Sequence, residues 1–109
     1  MPKYRNTKVW TEEWGWFDSK RELARWQELK LLERAGQIQE LDRQVTFELA
    51  PSVVLDGRKR PPMKFIADHV YKEKDREIVE DVKGFRTQGY RLKRHLMKAL
   101  LGIEVREIA

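Results

Sequence analysis

The chain predicts an α/β layer domain with a mixed central sheet, and three observations carry that expectation. Apolar periodicity switches between helix and strand spacing in the order helix, strand, strand, strand, helix, strand. A helical crossover separates the last two strands, the connection that layered sheets use. The 109 residues are 40% apolar and 38% charged, with four Trp, a composition that suits one core under a charged surface. A chain of this length buries roughly 60–70% of its unfolded area, enough for one domain, 1–109, without staples.

Residues 1–9 are basic and polar and read as a mobile arm. Val9-Trp10 and Trp16-Phe17 flank a short hairpin or loop, with Trp10, Trp14 and Trp16 expected to pack over the domain edge. Ser19 to Ala35 is a helix: Leu23, Trp26 and Leu29 recur at spacing three, and Ala24, Leu31, Leu32 and Ala35 widen the stripe. Ser19-x-x-Glu22 matches a capping box, Asp18 is a rival cap, and Gly36 sits where a terminating glycine belongs. Gln37 to Asp42 reads as a connector anchored by Ile38 and Leu41. Gln44 to Leu49 alternates as a strand, ended by Pro51. Ser52 to Pro62 holds the turn signal Asp56-Gly57 and a basic stretch, Arg58-Lys59-Arg60, in a loop that its prolines keep irregular.

Lys64 to Gly84 reads as a hairpin with a charged turn, apolar on both faces as interior strands are. Thr87 caps a helix over Gln88 to Leu101, with Tyr90, Leu92, Leu96, Met97 and Leu100 as its apolar set. Gly102 ends it, and Ile103 to Ile108 is a final short strand.

The hairpin carries the chemistry. A turn centred between Lys74 and Asp75 places Asp68 directly opposite Asp81, and His69 opposite Glu80. Opposed residues have Cβ atoms roughly 4.5–5.5 Å apart, where like charges repel. Alternation puts Lys83 on the face of Asp81 and turns Glu80 away, so Glu80 is not expected as a ligand. His69 reads as a paired structural histidine. Two carboxylates and an ammonium at one point suit a hard cation, since Mg²⁺ is held by one or two carboxylates plus waters and phosphate oxygens.

Other classes are excluded or disfavoured. There is no cysteine, hence no disulfide framework and no Cys-based zinc site. No apolar run reaches the ~18 residues of a membrane span, and no signal-peptide stretch opens the chain, so no membrane partner and a cytoplasmic location are expected. Net charge is +5, concentrated in clusters that suit a polyanion. Lys20 and Arg21 on the first helix, Arg58, Lys59 and Arg60 in a loop that otherwise reads as a solvated turn, and Arg86, Arg91, Lys93, Arg94 and Lys98 around the second helix are the expected phosphate contacts of such a polyanion.

The stretches FIADHVY and VEDVKG, following the helix DSKRELARWQELKLLERAG, resemble the PD-(D/E)xK nuclease superfamily. Within it they resemble small phage and prophage proteins catalogued as a domain of unknown function. The resemblance runs from about Phe17 to Ile108 and implies a restriction-endonuclease-like α-β-β-β-α-β core. The first acidic position maps to Asp68, where Ala67 replaces the usual proline, and the second motif to Asp81-Val82-Lys83. An acidic residue from the first helix maps to Glu22, which could equally complete the capping box. Gln44 falls where members of this phage-type group keep a glutamine; otherwise it is an edge residue. The implied set is catalytic Asp68, Asp81, Lys83, Glu22 and Gln44, with Asp68, Asp81 and Glu22 on Mg²⁺ or, as a substitute, Mn²⁺. The implied activity is a phage-type endodeoxyribonuclease, selective for branched or recombination DNA, as a possible homodimer in the bacterial host cytoplasm. The alternative is a DNA-binding or assembly subunit that has the fold and no activity.

Overall fold

Ser19 opens the first helix by satisfying an orphan donor: its Oγ accepts the N–H of Glu22 at 3.1 Å. In the computed structural model, which describes residues 7–83 and 86–109, this helix, α1, spans Lys20–Arg34. Gly36 follows at φ +79°, a conformation glycine adopts without strain. Ahead of it, β1 (Val9–Thr11) and β2 (Gly15–Phe17) form a small hairpin. Most of the expected basic arm, residues 1–6, lies outside the described residues, as do Gly84, the last residue of the predicted hairpin, and Phe85.

Four further strands make the sheet, β3 (Gln39–Ala50), β6 (Met63–Glu73), β7 (Arg76–Val82) and β8 (Arg106–Ile108), in that order. β3–β6 and β6–β7 are antiparallel, and β8 runs parallel to β7 after a crossover through α2 (Gln88–Leu101). The mixed α/β architecture is therefore as the sequence predicts. α2 begins and ends where its signals say: Thr87 Oγ1 accepts the Tyr90 N–H, and Gly102 takes a left-handed cap.

Three departures stand out, and the first two have a physical cause. The first sheet strand starts at Gln39, not Gln44, because residues around Glu40 fold into a bulge that lets the would-be connector join the ladder. The expected basic loop is a two-stranded ribbon, β4 (Val53–Leu55) and β5 (Arg58–Arg60). Asp56 and Gly57 both have positive φ there, the backbone of a tight hairpin turn. The prolines lie at the ribbon's foot and leave its ladder intact. The final strand covers only Arg106–Ile108.

The core has two clusters. One gathers Leu29 of α1 with Ile38, Tyr71 and Ile78; the other gathers Met97 of α2 with Leu49, Phe65, Ala67, Val79 and Val105. Leu92 and Leu100, expected in the apolar face of α2, are exposed. Trp14 packs edge-on to Trp26 at 6.3 Å, whereas Trp10 and Trp16 pair with each other and stay mostly in solvent, against the expectation for the whole group. No helix among the described residues is long and apolar enough to cross a membrane.

Candidate active site

Lys74 and Asp75 both adopt positive φ, so the β6–β7 turn has two central residues and the register is fixed by it. The ladder pairs His69 with Glu80 and Val70 with Val79, as the sequence arithmetic requires. One step further Asp68 and Asp81 stand opposite, and the ordinary ladder stops. Each carboxylate replaces a carbonyl instead: Asp81 Oδ1 accepts the Asp68 N–H at 2.8 Å, and Asp68 Oδ2 accepts the Val82 N–H at 2.8 Å. The exchange holds two acidic side chains together across the opened strands.

Lys83 Nζ lies 3.3 Å from Asp81 Oδ2 and 4.4 Å from the centre of the Tyr90 ring. Burial pushes the Asp81 carboxyl up to about 6, with the Asp68 charge adding to it. Burial also raises Asp68, against the Val82 amide and Lys83, which lower it. The pair is thus electrostatically loaded, the condition that a bound cation relieves.

Asp68 is interrupted on its other side as well. In the β3–β6 register, Arg43 pairs with His69 and Val45 with Ala67, which leaves Gln44 facing Asp68. Gln44 has φ 54° and takes no place in the ladder, a strained backbone for a non-glycine residue. Its Nε2 donates to Glu22 Oε1 at 3.1 Å. Glu22 is buried, and its carboxyl is pushed up to about 7 by burial and then by the charges of Asp68 and Asp18. So Glu22 donates its N–H to the Ser19 cap, while its carboxylate turns toward Gln44 and feels the aspartate pair. The Glu22 main chain serves the cap, and its side chain accepts from Gln44.

The structure therefore brings together Asp68, Asp81 and Lys83 as one group and Glu22 with Gln44 as an adjoining one. Among the described residues no three His, Cys, Asp or Glu side chains are gathered as a ready ligand set. As to fit, two facing carboxylates with raised pKa values are hard oxygen donors of the type that suits Mg²⁺ or Mn²⁺, and two protein carboxylates suffice when waters and phosphate fill the shell.

On the opposite face Glu80 is fully buried and serves structure. Arg25 Nε and Nη2 reach its two oxygens at 2.8 and 3.0 Å. Tyr71 donates at 2.8 Å, and His69 Nδ1 lies at 3.2 Å. Burial alone would raise this carboxyl; the His69, Arg25 and Tyr71 hydrogen bonds outweigh it and hold it at about 2. His69 stacks on Trp26, ring centres 5.9 Å apart. The expected His69–Glu80 pair is present; Arg25, one turn after Glu22, is the partner that sequence reasoning missed.

Asp81 and Lys83 line a groove of about 780 Å³ with Lys64, Tyr90, Lys93 and the Pro61-Pro62 step. Lys64 was not singled out from sequence, although alternation places it on the Asp68 face. Of the expected DNA contacts, only Lys93 lines this groove. Arg86 and Arg94 are committed to Glu107 at 2.8 and 3.5 Å, Arg94 also donates to the Val105 carbonyl, and Lys98 lies 3.9 Å from Glu104. Lys20, Arg21 and Arg91 are exposed, as are Arg58, Lys59 and Arg60 on the ribbon. Glu107, paired in register with Asp81, is a neighbouring carboxylate that the sequence reading passed over. It spends its charge on the two arginines.

The family model described as Protein of unknown function (DUF1064) matches residues 1–106. The chain belongs to that family. No curated protein and no solved structure matches it.

Proposed function

We propose that this DUF1064 protein is a metal-dependent endodeoxyribonuclease of the PD-(D/E)xK type, built on a restriction-endonuclease-like core. The observation that carries the reading is the Asp68–Asp81 pair at the break in the β6–β7 ladder, with Lys83 beside Asp81 and the groove in front. The raised carboxyls, the hydrogen-bonded Glu22 and Gln44, and the order of elements all support it.

Asp68 and Asp81 would hold Mg²⁺ or Mn²⁺, with Glu22 next to them. When bound, the ion acidifies water and offsets charge on a phosphate oxygen. Lys83 orients the attacking water and donates to the phosphate as negative charge builds. The water gives up a proton to solvent and its oxygen bonds to phosphorus, the bond to the leaving deoxyribose oxygen breaks, and that oxygen takes up a proton from solvent; no covalent enzyme intermediate is needed. Lys64 and Lys93 neutralise flanking phosphates in the groove. The sequence carries no helix-turn-helix or zinc-finger pattern for direct base readout, so branched or otherwise distorted DNA is the favoured substrate. Exposed Leu92 and Leu100 on α2 suit a homodimer, which sedimentation of the full chain would detect.

One observation favours a second reading, a DNA-binding or assembly subunit without hydrolysis: both aspartates already accept main-chain N–H groups and could serve structure alone. The test is cleavage of duplex, single-stranded and four-way-junction DNA with Mg²⁺ and with Mn²⁺. The nuclease reading expects cutting that Asp81→Ala and Lys83→Ala abolish while DNA binding persists. A wild type that binds DNA but cuts none of these substrates selects the second reading.

A further inference from the structure

Among the described residues, the strands of the ribbon β4–β5 pack appreciably only on each other. Every one of its residues is exposed, including Val53, Val54 and Leu55 at 48, 68 and 55%. A free two-stranded ribbon with an apolar strand is an aggregation hazard, so its upkeep calls for a partner.

Its composition says which. Val53 pairs with Arg60, Val54 with Lys59 and Leu55 with Arg58. One strand is therefore wholly apolar and the other wholly cationic. Asp56 is the single acidic residue between Val53 and Arg60. Two such arms from two copies would bring like charges together, which disfavours self-pairing. Sugar–phosphate backbone accepts the cations, and groove walls accept the aliphatic side chains. The ribbon is also continuous with the candidate site, because Pro61 and Pro62, which follow Arg60 directly, line the groove holding Asp81 and Lys83. The prolines stiffen that junction.

We propose that residues 53–60 form a DNA-gripping arm that enters a groove of the duplex flanking the reacting phosphate, a passage that B-DNA's major groove allows a two-stranded ribbon. Arg58, Lys59 and Arg60 contact phosphates, and Val53, Val54 and Leu55 pack on sugars and base edges. The inference rests on the nuclease reading for its substrate, but its test does not need cleavage.

The experiment uses the full chain, a labelled 30-bp duplex and EDTA, with binding measured at 50 and 200 mM KCl. Replacing Arg58, Lys59 and Arg60 together by Ala removes up to three phosphate contacts, so the fall in affinity between the two salts should be smaller by about forty-fold. Val54→Glu should weaken binding and, like the triple variant, shorten the hydroxyl-radical footprint on one side. Thermal unfolding should change little, since every residue of the arm is exposed. Wild-type salt dependence and footprint in both variants would overturn the arm and leave the nuclease reading standing. A wild type that binds no DNA would overturn both. Sedimentation in which Val54→Glu dissolves a wild-type dimer, with DNA binding intact, would make the ribbon a self-association arm instead.

Discussion

Asp81 is 2% exposed, yet it must stay ionised beside Asp68 for the proposed chemistry. Its pKa of about 6, up from an ordinary 3.8, has a definite thermodynamic sign. Between those values the folded chain keeps a proton that the unfolded chain releases, so stability falls as pH rises through that window. In metal-free urea unfolding, the protein should lose about 1 kcal/mol between pH 5.5 and 7.5 from this group. Asp81→Asn keeps an oxygen for the Asp68 N–H and removes the repulsion. It should gain about 1–2 kcal/mol at pH 7.5 and lose all cleavage; a destabilised Asp81→Asn would mean that the carboxylate is structural. Glu80 runs the other way. Held at about 2, below its ordinary 4.5, it contributes stability above pH 4.5 that disappears as pH falls toward 2. Glu80→Gln strands the Arg25 guanidinium and should cost about 3 kcal/mol in the same assay. These adjacent residues in one strand thus have opposite assignments, and alternation in the sequence already separates them. The Gln44 backbone strain and the Arg25 contact had no sequence signal, because each depends on where another element happens to lie.

At the scale of elements, the β6–β7 hairpin sets the site through its turn. Lys74 and Asp75 sit in left-handed conformations that asparagine and glycine tolerate better. Replacing the two by Asn-Gly should add about 0.5–1 kcal/mol of stability without altering register, and cleavage should be unchanged. Reduced cleavage in that variant, with a normal melt, would mean that the turn strain is coupled to the aspartates. Helix α2 divides its cations between two jobs. Arg94 ties the helix to β8 through Glu107 and the Val105 carbonyl, so Arg94→Ala should lower stability by about 1–2 kcal/mol with little change in the salt dependence of DNA binding. Lys93 lines the groove, and Lys93→Ala should do the reverse. Sequence alone put all these cations in one basic set, because composition reports charge and not the neighbouring acid that cancels it.

For the whole molecule, the site joins α1, β3, β6 and β7, so a ligand there should stabilise the fold globally. A cation bound by the native state alone adds about 1.4 kcal/mol at ten times its dissociation constant. Mg²⁺ titration should therefore raise the melting temperature of the wild type and leave the double variant Asp68→Asn, Asp81→Asn unmoved. Equal response of both proteins would place the ion elsewhere on the surface.

The local chain determined the two helices with their caps, the hairpin register that sets Asp68 against Asp81, and the side of the sheet on which Lys83 lies. All of these follow from periodicity and turn chemistry over a few residues. Tertiary structure decided the rest: the Glu22–Gln44 contact, the Arg25–Glu80 bond, the arginines neutralised by Glu107, and the ribbon that stands clear of the core. Each of these depends on the distance between segments far apart in the chain, and that distance is fixed only when the core closes around Leu29 and Met97.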